Sequence, residues 1–211
     1  MPVVPLFGGA IVADLPTTFV DISDFRNVPD HQEVWADGDK DQSVVIELVD
    51  PPTTTPTGEP LELDGPACLR YYWSDLADGN ECPLDQAHIT STEILDPTQL
   101  GTARAEGIGV GGGVAWAGVV RGRQRATKGR QLGEDKTNEV AIALAVLRLP
   151  SVATDVLVSV NAPVVIAAGS ASAAHAGSGD KPTGDACAAE VIQRVLGSFR
   201  ILDWGLFGGG G

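Results

Sequence analysis

The segment 140–146 constrains the fold of this chain more than any other stretch of its sequence. Large apolar side chains alternate there with alanines, and a period of two residues is typical of a β-strand that carries different side chains on its two faces. The large residues are Val140, Ile142, Leu144 and Val146, and the small ones are Ala141, Ala143 and Ala145. Because alanines leave space above the strand, we expect a helix to pack closely against the alanine face.

The rest of the chain shows mostly consecutive extended patterns and two helical ones. Helical spacing of apolar residues predicts helices over 65–76, with Leu69, Tyr72, Trp73 and Leu76, and over 185–199, with Val191, Val195, Leu196 and Phe199. Further strands are predicted over residues 10–14, 19–22, 32–36, 43–49, 88–95, 114–120 and 154–160. Because few strands are separated by a helix, we predict the α/β class, with an antiparallel β-sheet sandwiched by α-helices.

The domain organisation follows from length and local composition. A chain of 211 residues is suited to one domain with a sizeable core, so we predict a single domain over residues 1–211 and expect a monomer. Thr and Pro dominate residues 51–64, and Ala, Gly and Ser dominate residues 162–184, which predicts a loop in each segment. The glycine-rich residues 208–211 predict a flexible tail.

The charge balance limits the classes of partner. The chain has 28 acidic and 14 basic residues, a formal net charge of −14 and a pI near 4.4. Such a surface repels phosphate backbones, so we expect no direct nucleic-acid partner, and acidity serves either a basic protein partner or solubility alone. No signal peptide, transit peptide or membrane span is expected. Three widely spaced cysteines fit a reducing compartment, the nucleus and cytoplasm.

The motifs in the chain do not support catalysis. Residues 107–112 match G-x-G-x-x-G formally, but the next segment predicts a strand and lacks the helix N-terminus that would hold a phosphate. We therefore favour a connecting loop over a dinucleotide site. His31, His88 and His175 lack metal-ligand spacing, and no nucleophile motif is present. We predict no catalytic residue, no cofactor and no metal.

Negative charge is concentrated near the beginning of the chain. Residues 14–50 include ten carboxylates and only two opposing basic residues, Arg26 and Lys40. A charge run is often only a solvated face, but residues 32–36 and 43–49 are expected to form neighbouring strands. The outward carboxylates of those strands, including Glu33 and Glu47, would then share one surface. Clustered like charges cost stability unless they serve a purpose such as binding.

Several segments resemble the Ran guanine nucleotide release factors, the Mog family. The matches run in order from Pro5 to Gly208 and are weak over 53–115 and 164–184. The most specific of them is Val-Pro-Asp-x-Gln-Glu-Val at residues 28–34. The matching segments are 5–10 (PLFGGA), 21–34 (DISDFRNVPDHQEV), 41–48 (DQSVVIEL), 147–150 (LRLP), 154–157 (TDVL) and 202–208 (LDWGLFG).

The resemblance implies a Mog/PsbP-like fold, binding to the small GTPase Ran, promotion of GTP release and a role in nuclear protein import. It also implies an acidic contact surface, for which the matching residues are Asp24, Asp30, Glu33, Asp41, Glu47 and Asp50. By strand alternation Trp35 shares a face with Glu33, and it is either an apolar anchor for Ran or a core side chain. Alternative functions are a PsbP-like photosynthetic subunit, a trafficking adaptor for membrane proteins, and an enzyme that uses residues 107–112.

Overall fold

Within the residues that are described, the chain forms ten β-strands and two α-helices. The computed structural model describes residues 3–23, 25, 27–54, 57–60, 65–96, 98, 100–101, 113–127, 137–166 and 184–208. The strands are β1 Val4–Leu6, β2 Ile11–Ala13, β3 Val20–Asp21, β4 Gln32–Asp37, β5 Gln42–Val49, β6 Ala87–Leu95, β7 Trp116–Thr127, β8 Thr137–Leu149, β9 Thr154–Val165 and β10 Arg200–Ile201. The helices are α1 Pro66–Gly79 and α2 Gly184–Ser198.

Seven of these strands form one antiparallel sheet in the order β3-β4-β5-β9-β8-β7-β6. The helix α1 packs on one face of this sheet and α2 packs on the other. The remaining strands form a small sheet, β1-β2-β10, whose apolar side chains join the core on the α2 side. The predicted class, an antiparallel sheet sandwiched by helices, is confirmed.

The alanine face of β8 is the face on which α2 packs, as the sequence predicts. Ala143 and Ala145 are fully buried in the same cluster as Ala188, Ile192 and Val195 of α2. Small side chains on both elements let the helix lie close to the strand, and the large residues of β8 then point to the opposite face. There they pack with α1.

The helix α1 lies over β6 and β7, and its predicted apolar stripe is buried except for Leu76, which is half-buried. Leu69, Tyr72 and Trp73 are at most 4% exposed. The close approach depends on Gly122 of β7, because a Cβ atom there would lie 2.8 Å from the Trp73 ring and 2.1 Å from a backbone oxygen of β6. Sequence periodicity located this helix, but it gave no sign of the glycine beneath it.

The boundaries of several elements differ from the prediction. The strand β9 continues to Val165, so the segment 162–184 is not a loop over its whole length. Residues 162–165 belong to β9 and Gly184 is the first residue of α2, so the loop prediction is wrong at both of its ends. Residues 167–183 lie outside the described residues. Asp185 lies inside the first turn of α2, and its carboxylate accepts hydrogen bonds from Arg123 of β7.

Candidate functional site

The hairpin of β4 and β5 holds most of the predicted contact residues, and its register decides which of them share a face. Gln32 pairs with Glu47, and Glu33 pairs with Ile46. Because Ile46 points into the α2-side core, Glu33 lies on the α2 face, whereas Glu47 lies on the α1 face. The prediction that Glu33 and Glu47 share one surface is therefore wrong, since the hairpin register places them on opposite faces of the sheet.

Glu33 has a structural task inside the molecule. Its Oε1 accepts a hydrogen bond from the backbone N–H of Phe7 at 2.5 Å. Phe7 has a φ of 49°, in the left-handed region that residues other than glycine rarely adopt. The Glu33 carboxylate thus stabilises a strained turn between β1 and β2, and this carboxylate oxygen is occupied before any partner arrives.

Trp35 lies on the same face as Glu33, as strand alternation predicts. The side chain is half-buried and packs against the α2-side core. Its indole Nε1 is buried, and no hydrogen-bond acceptor reaches it among the described residues. This packing favours the alternative in which Trp35 is a core side chain over the one in which it anchors a partner.

Three predicted contact residues lie together at one end of the hairpin. Asp30 immediately precedes the paired region, Glu47 lies on its α1 face, and Asp50 follows β5; we call this trio the acidic end. The backbone N–H of Leu48 donates to the carbonyl of His31 at 2.9 Å, which extends the pairing to this end. Asp30 and Asp50 are exposed, and Glu47 is half-buried.

Neighbouring side chains orient Glu47 without neutralising the acidic end. The amide Nε2 of Gln32 donates to Glu47 Oε1 at 2.8 Å, and His31 Nε2 lies 3.6 Å from the same oxygen. Among the described residues, no lysine or arginine lies within ion-pair distance of Asp30, Glu47 or Asp50. The arrangement presents negative charge at a fixed position, which suits a basic partner.

Another predicted contact residue, Asp41, is not at this end. Asp41 belongs to the opposite turn of the hairpin, with a φ of 54°, and lies six residues from Glu47, about 20 Å along an extended strand. Asp24 lies outside the described residues, as does the glycine-rich segment 107–112. The role of each in binding stays a prediction.

An exposed aromatic residue near the acidic end was missed by the sequence reasoning. Phe25 is 79% exposed, in the connection between β3 and β4 that leads to Asp30. Its backbone N–H donates to the carbonyl of Ile22, and the N–H of Ile22 donates to Val34 of β4. The sequence contains one signal of this residue: Phe25 lies between charged residues in the segment 21–34, where a buried core residue is not expected.

A buried polar cluster beneath α1 was also missed. Arg148 of β8 donates two hydrogen bonds to the carboxylate of Asp155 on β9, and the hydroxyl of Tyr72 donates to the same carboxylate at 2.6 Å. Burial and this hydrogen bond raise the pKa of Tyr72 far above its usual value. Burial acts to lower the pKa of Arg148, but hydrogen bonding and the charge of Asp155 outweigh it and raise that pKa. The cluster ties α1 to the β8–β9 hairpin.

The described residues contain neither a metal centre nor a membrane-spanning helix. No group of three or more histidine, cysteine and acidic side chains is arranged to hold a metal ion there. In the same part of the chain, neither α-helix has the length and apolar character needed to cross a bilayer.

Comparison with known proteins agrees with the resemblance in the sequence. The family model described as Ran-interacting Mog1 protein matches residues 4–163. A Ran guanine nucleotide release factor of Danio rerio is 31% identical over 205 residues, which cover 97% of this chain and 98% of that protein. The nuclear import protein mog1 of Schizosaccharomyces pombe is 32% identical over 212 residues, which cover 97% and 99%. The corresponding Homo sapiens release factor is 33% identical over 159 residues, which cover 75% and 74%.

A solved structure supports the fold. The crystal structure of the Saccharomyces cerevisiae Ran-binding protein Mog1p has a TM-score of 0.58 to this chain at 22% identity, and the match covers 98% of this chain and 97% of that one. The family match favours the resemblance to the Mog family over the PsbP-like photosynthetic alternative. With residues 4–163 matched by the family model, this chain belongs to the Ran-interacting Mog1 protein family.

Proposed function

We propose that this protein binds the small GTPase Ran, promotes the release of its guanine nucleotide and so supports nuclear protein import, in the nucleus and cytoplasm. The observation that carries the proposal is the acidic end, where Asp30, Glu47 and Asp50 present negative charge that no described lysine or arginine pairs with. Family membership and the names of the relatives supply the identity of the partner. The three carboxylates supply a surface for its basic side chains.

Release of a nucleotide requires no catalytic residue in this protein. The protein has only to bind the nucleotide-free GTPase more tightly than the loaded one, because by linkage its binding then weakens nucleotide affinity by the same factor. Each preference of about 1.4 kcal/mol corresponds to a tenfold loss of nucleotide affinity. The proposal is thus consistent with a rigid acidic surface that has no metal or cofactor role.

Charge alone does not supply this binding energy. Exposed ion pairs contribute about 0.2–1 kcal/mol each, so the acidic end mainly sets orientation and encounter rate. An apolar contact has to supply much of the remainder, and interface anchors are often aromatic. We assign this role to the exposed Phe25 in place of Trp35, because Trp35 is already packed against the core.

The test is the release of a fluorescent GTP analogue from Ran in the presence of this protein and its charge-reversed variants. We expect Glu47→Lys and Asp50→Lys each to weaken Ran binding about threefold, and the double variant about tenfold, with release slowed in proportion. The matched control is Asp39→Lys, which makes the same charge change on an exposed residue at the opposite turn of the hairpin.

The outcome of that comparison is decisive for the surface. Equal binding by the double variant and the wild type, with Asp39→Lys also neutral, would remove the acidic end from the contact. A reversal at Glu33 is a poor test, because the loss of its hydrogen bond to Phe7 disturbs the fold as well as the charge.

A further inference from the structure

The α1 face of the large sheet is only partly covered by its helix. The helix α1 packs on β6 and β7, while α2 packs on the opposite face of the sheet. Apolar residues of the other strands on the α1 face are consequently left half-buried, among them Val34 of β4, Val45 of β5 and Leu157 of β9. No helix among the described residues lies over this part of the sheet.

A groove runs between the edge of α1 and these strands. Its sheet side is formed by Val45, Glu47 and Leu157, and its helix side by Tyr72, Asp75 and Leu76; we call it the α1 groove. The enclosed volume is about 50 Å³. This is far below the volume of small-molecule pockets, which span about 300–1,000 Å³, so a single side chain fits the groove better than a ligand does.

The charges at the groove are both negative. Glu47 belongs to the acidic end, and it uses only Oε1 in its hydrogen bond with Gln32. Asp75 is exposed on α1, and its carboxylate makes no hydrogen bond or ion pair among the described residues. An apolar floor between two carboxylates is complementary to an apolar side chain whose neighbour is basic.

We propose that the α1 groove receives an apolar side chain of Ran that is flanked by a lysine or arginine. The inference rests on the proposed function and extends the contact from the acidic end onto α1. Glu47 connects the two surfaces, because it belongs both to the acidic end and to the wall of the α1 groove. A partner bound at the acidic end therefore also lies against the groove. The groove then supplies apolar contact that exposed ion pairs do not.

The experiment measures the dissociation constant of full-length Ran for three variants of the full chain, at about 50 mM and about 300 mM salt. Val45→Thr keeps the shape of a half-buried strand residue and replaces a methyl group by a hydroxyl. Asp75→Lys reverses the exposed charge of α1. The control Asp85→Lys makes the same charge change on an exposed residue just before β6, at the far edge of the sheet. Thermal unfolding of each variant reports whether the fold is intact.

We expect Val45→Thr to bind Ran at least about fourfold more weakly at both salt concentrations, because one buried methyl contact is lost. Asp75→Lys is expected to bind about threefold to fivefold more weakly at low salt and less so at high salt. Asp85→Lys should bind like the wild type. This pattern supports an apolar side chain held between acidic walls.

Other outcomes overturn the inference, and they separate it from the proposed function. Wild-type affinity of Val45→Thr, combined with weak binding by Glu47→Lys, would leave the acidic end as the contact and remove the groove. If the wild-type protein does not bind Ran at all, both the proposed function and the inference are contradicted. Self-association of the chain that Val45→Thr abolishes would place a second copy in the groove instead of Ran.

Discussion

Asp37 at the end of β4 is 2% exposed and is held by several donors at once. Its carboxylate accepts a hydrogen bond from Thr18 Oγ1 at 2.6 Å and from the backbone of Asp39 and Lys40, and Lys40 Nζ lies 3.1 Å away. Burial acts to raise the pKa of Asp37, but the hydrogen bonds from Thr18 and Lys40 outweigh it, so the pKa lies below its ordinary value. The Asp37 carboxylate thus stabilises the hairpin turn that links β4 to β5.

We predict that Asp37→Asn destabilises the protein in a pH-dependent way. Because the folded pKa is lowered, the carboxylate stabilises the fold above its unfolded pKa of about 3.9, and this contribution is lost as the pH falls through the folded value. At pH 7 the variant should lose about 1–3 kcal/mol of unfolding free energy. Urea titrations at pH 7 and below about pH 4 measure the difference, which should narrow in acid. A difference that stays constant would show that Asp37 acts only through shape.

Residue identity predicted the acidic end only in part. The sequence indicated Asp30, Glu47 and Asp50, and the structure places these three at one end of the β4–β5 hairpin. The sequence did not show on which face of the sheet Glu33 lies. The face of a strand residue depends on the pairing register, and a shift of one residue exchanges the two faces. Register here depends on how many residues form the turn after Asp37, and residue propensities do not determine that number. Pairing of Glu33 with Ile46 and not with Glu47 separates the two carboxylates.

At the scale of elements, hydrophobic periodicity predicted secondary structure correctly where the apolar face of an element packs into the core. The alternation in β8 predicted both the strand and the packing of a helix on its alanines. The fold confirms this and shows that the helix is α2. Hydrophobic periodicity did not predict long-range polar contacts, such as the one between Arg148 and Asp155. Both residues lie in strands that are otherwise mostly apolar. The pairing of β8 with β9 across the turn Pro150–Val152 places Arg148 opposite Asp155. Opposite charges in adjoining apolar strands were the overlooked signal.

The attachment of α1 to the sheet gives a second prediction. Asp155→Asn removes the charge that pairs with the buried Arg148, and we expect it to cost about 3–5 kcal/mol of unfolding free energy. Tyr72→Phe removes one hydrogen bond to that carboxylate and should cost about 1.5–3 kcal/mol. Tyr71→Phe is the matched control, because the ring of the neighbouring Tyr71 packs against the same cluster while its hydroxyl makes no hydrogen bond among the described residues. Chemical denaturation should therefore show little change. Equal costs for both tyrosines would contradict the role of the buried cluster.

At the scale of the whole molecule, the net charge of −14 should govern the rate of encounter with a basic partner. We predict that the association rate constant with Ran falls by up to about tenfold when salt is raised from about 50 mM to 500 mM, because screening shortens the reach of the field. The dissociation rate should change much less, since close contacts set it. Stopped-flow mixing over a salt series measures both rates, and a salt-independent association rate would contradict electrostatic steering.

Hydrogen exchange of the full chain with and without nucleotide-free Ran tests most directly whether the acidic end is the contact. Binding should slow exchange in residues 27–32 and 46–50, which hold the acidic end and the start of β4. The turn at 38–41 and the edge strand β6 should exchange as they do in the unbound protein. Slower exchange confined to α2 or β6, with residues 46–50 unchanged, would contradict the account.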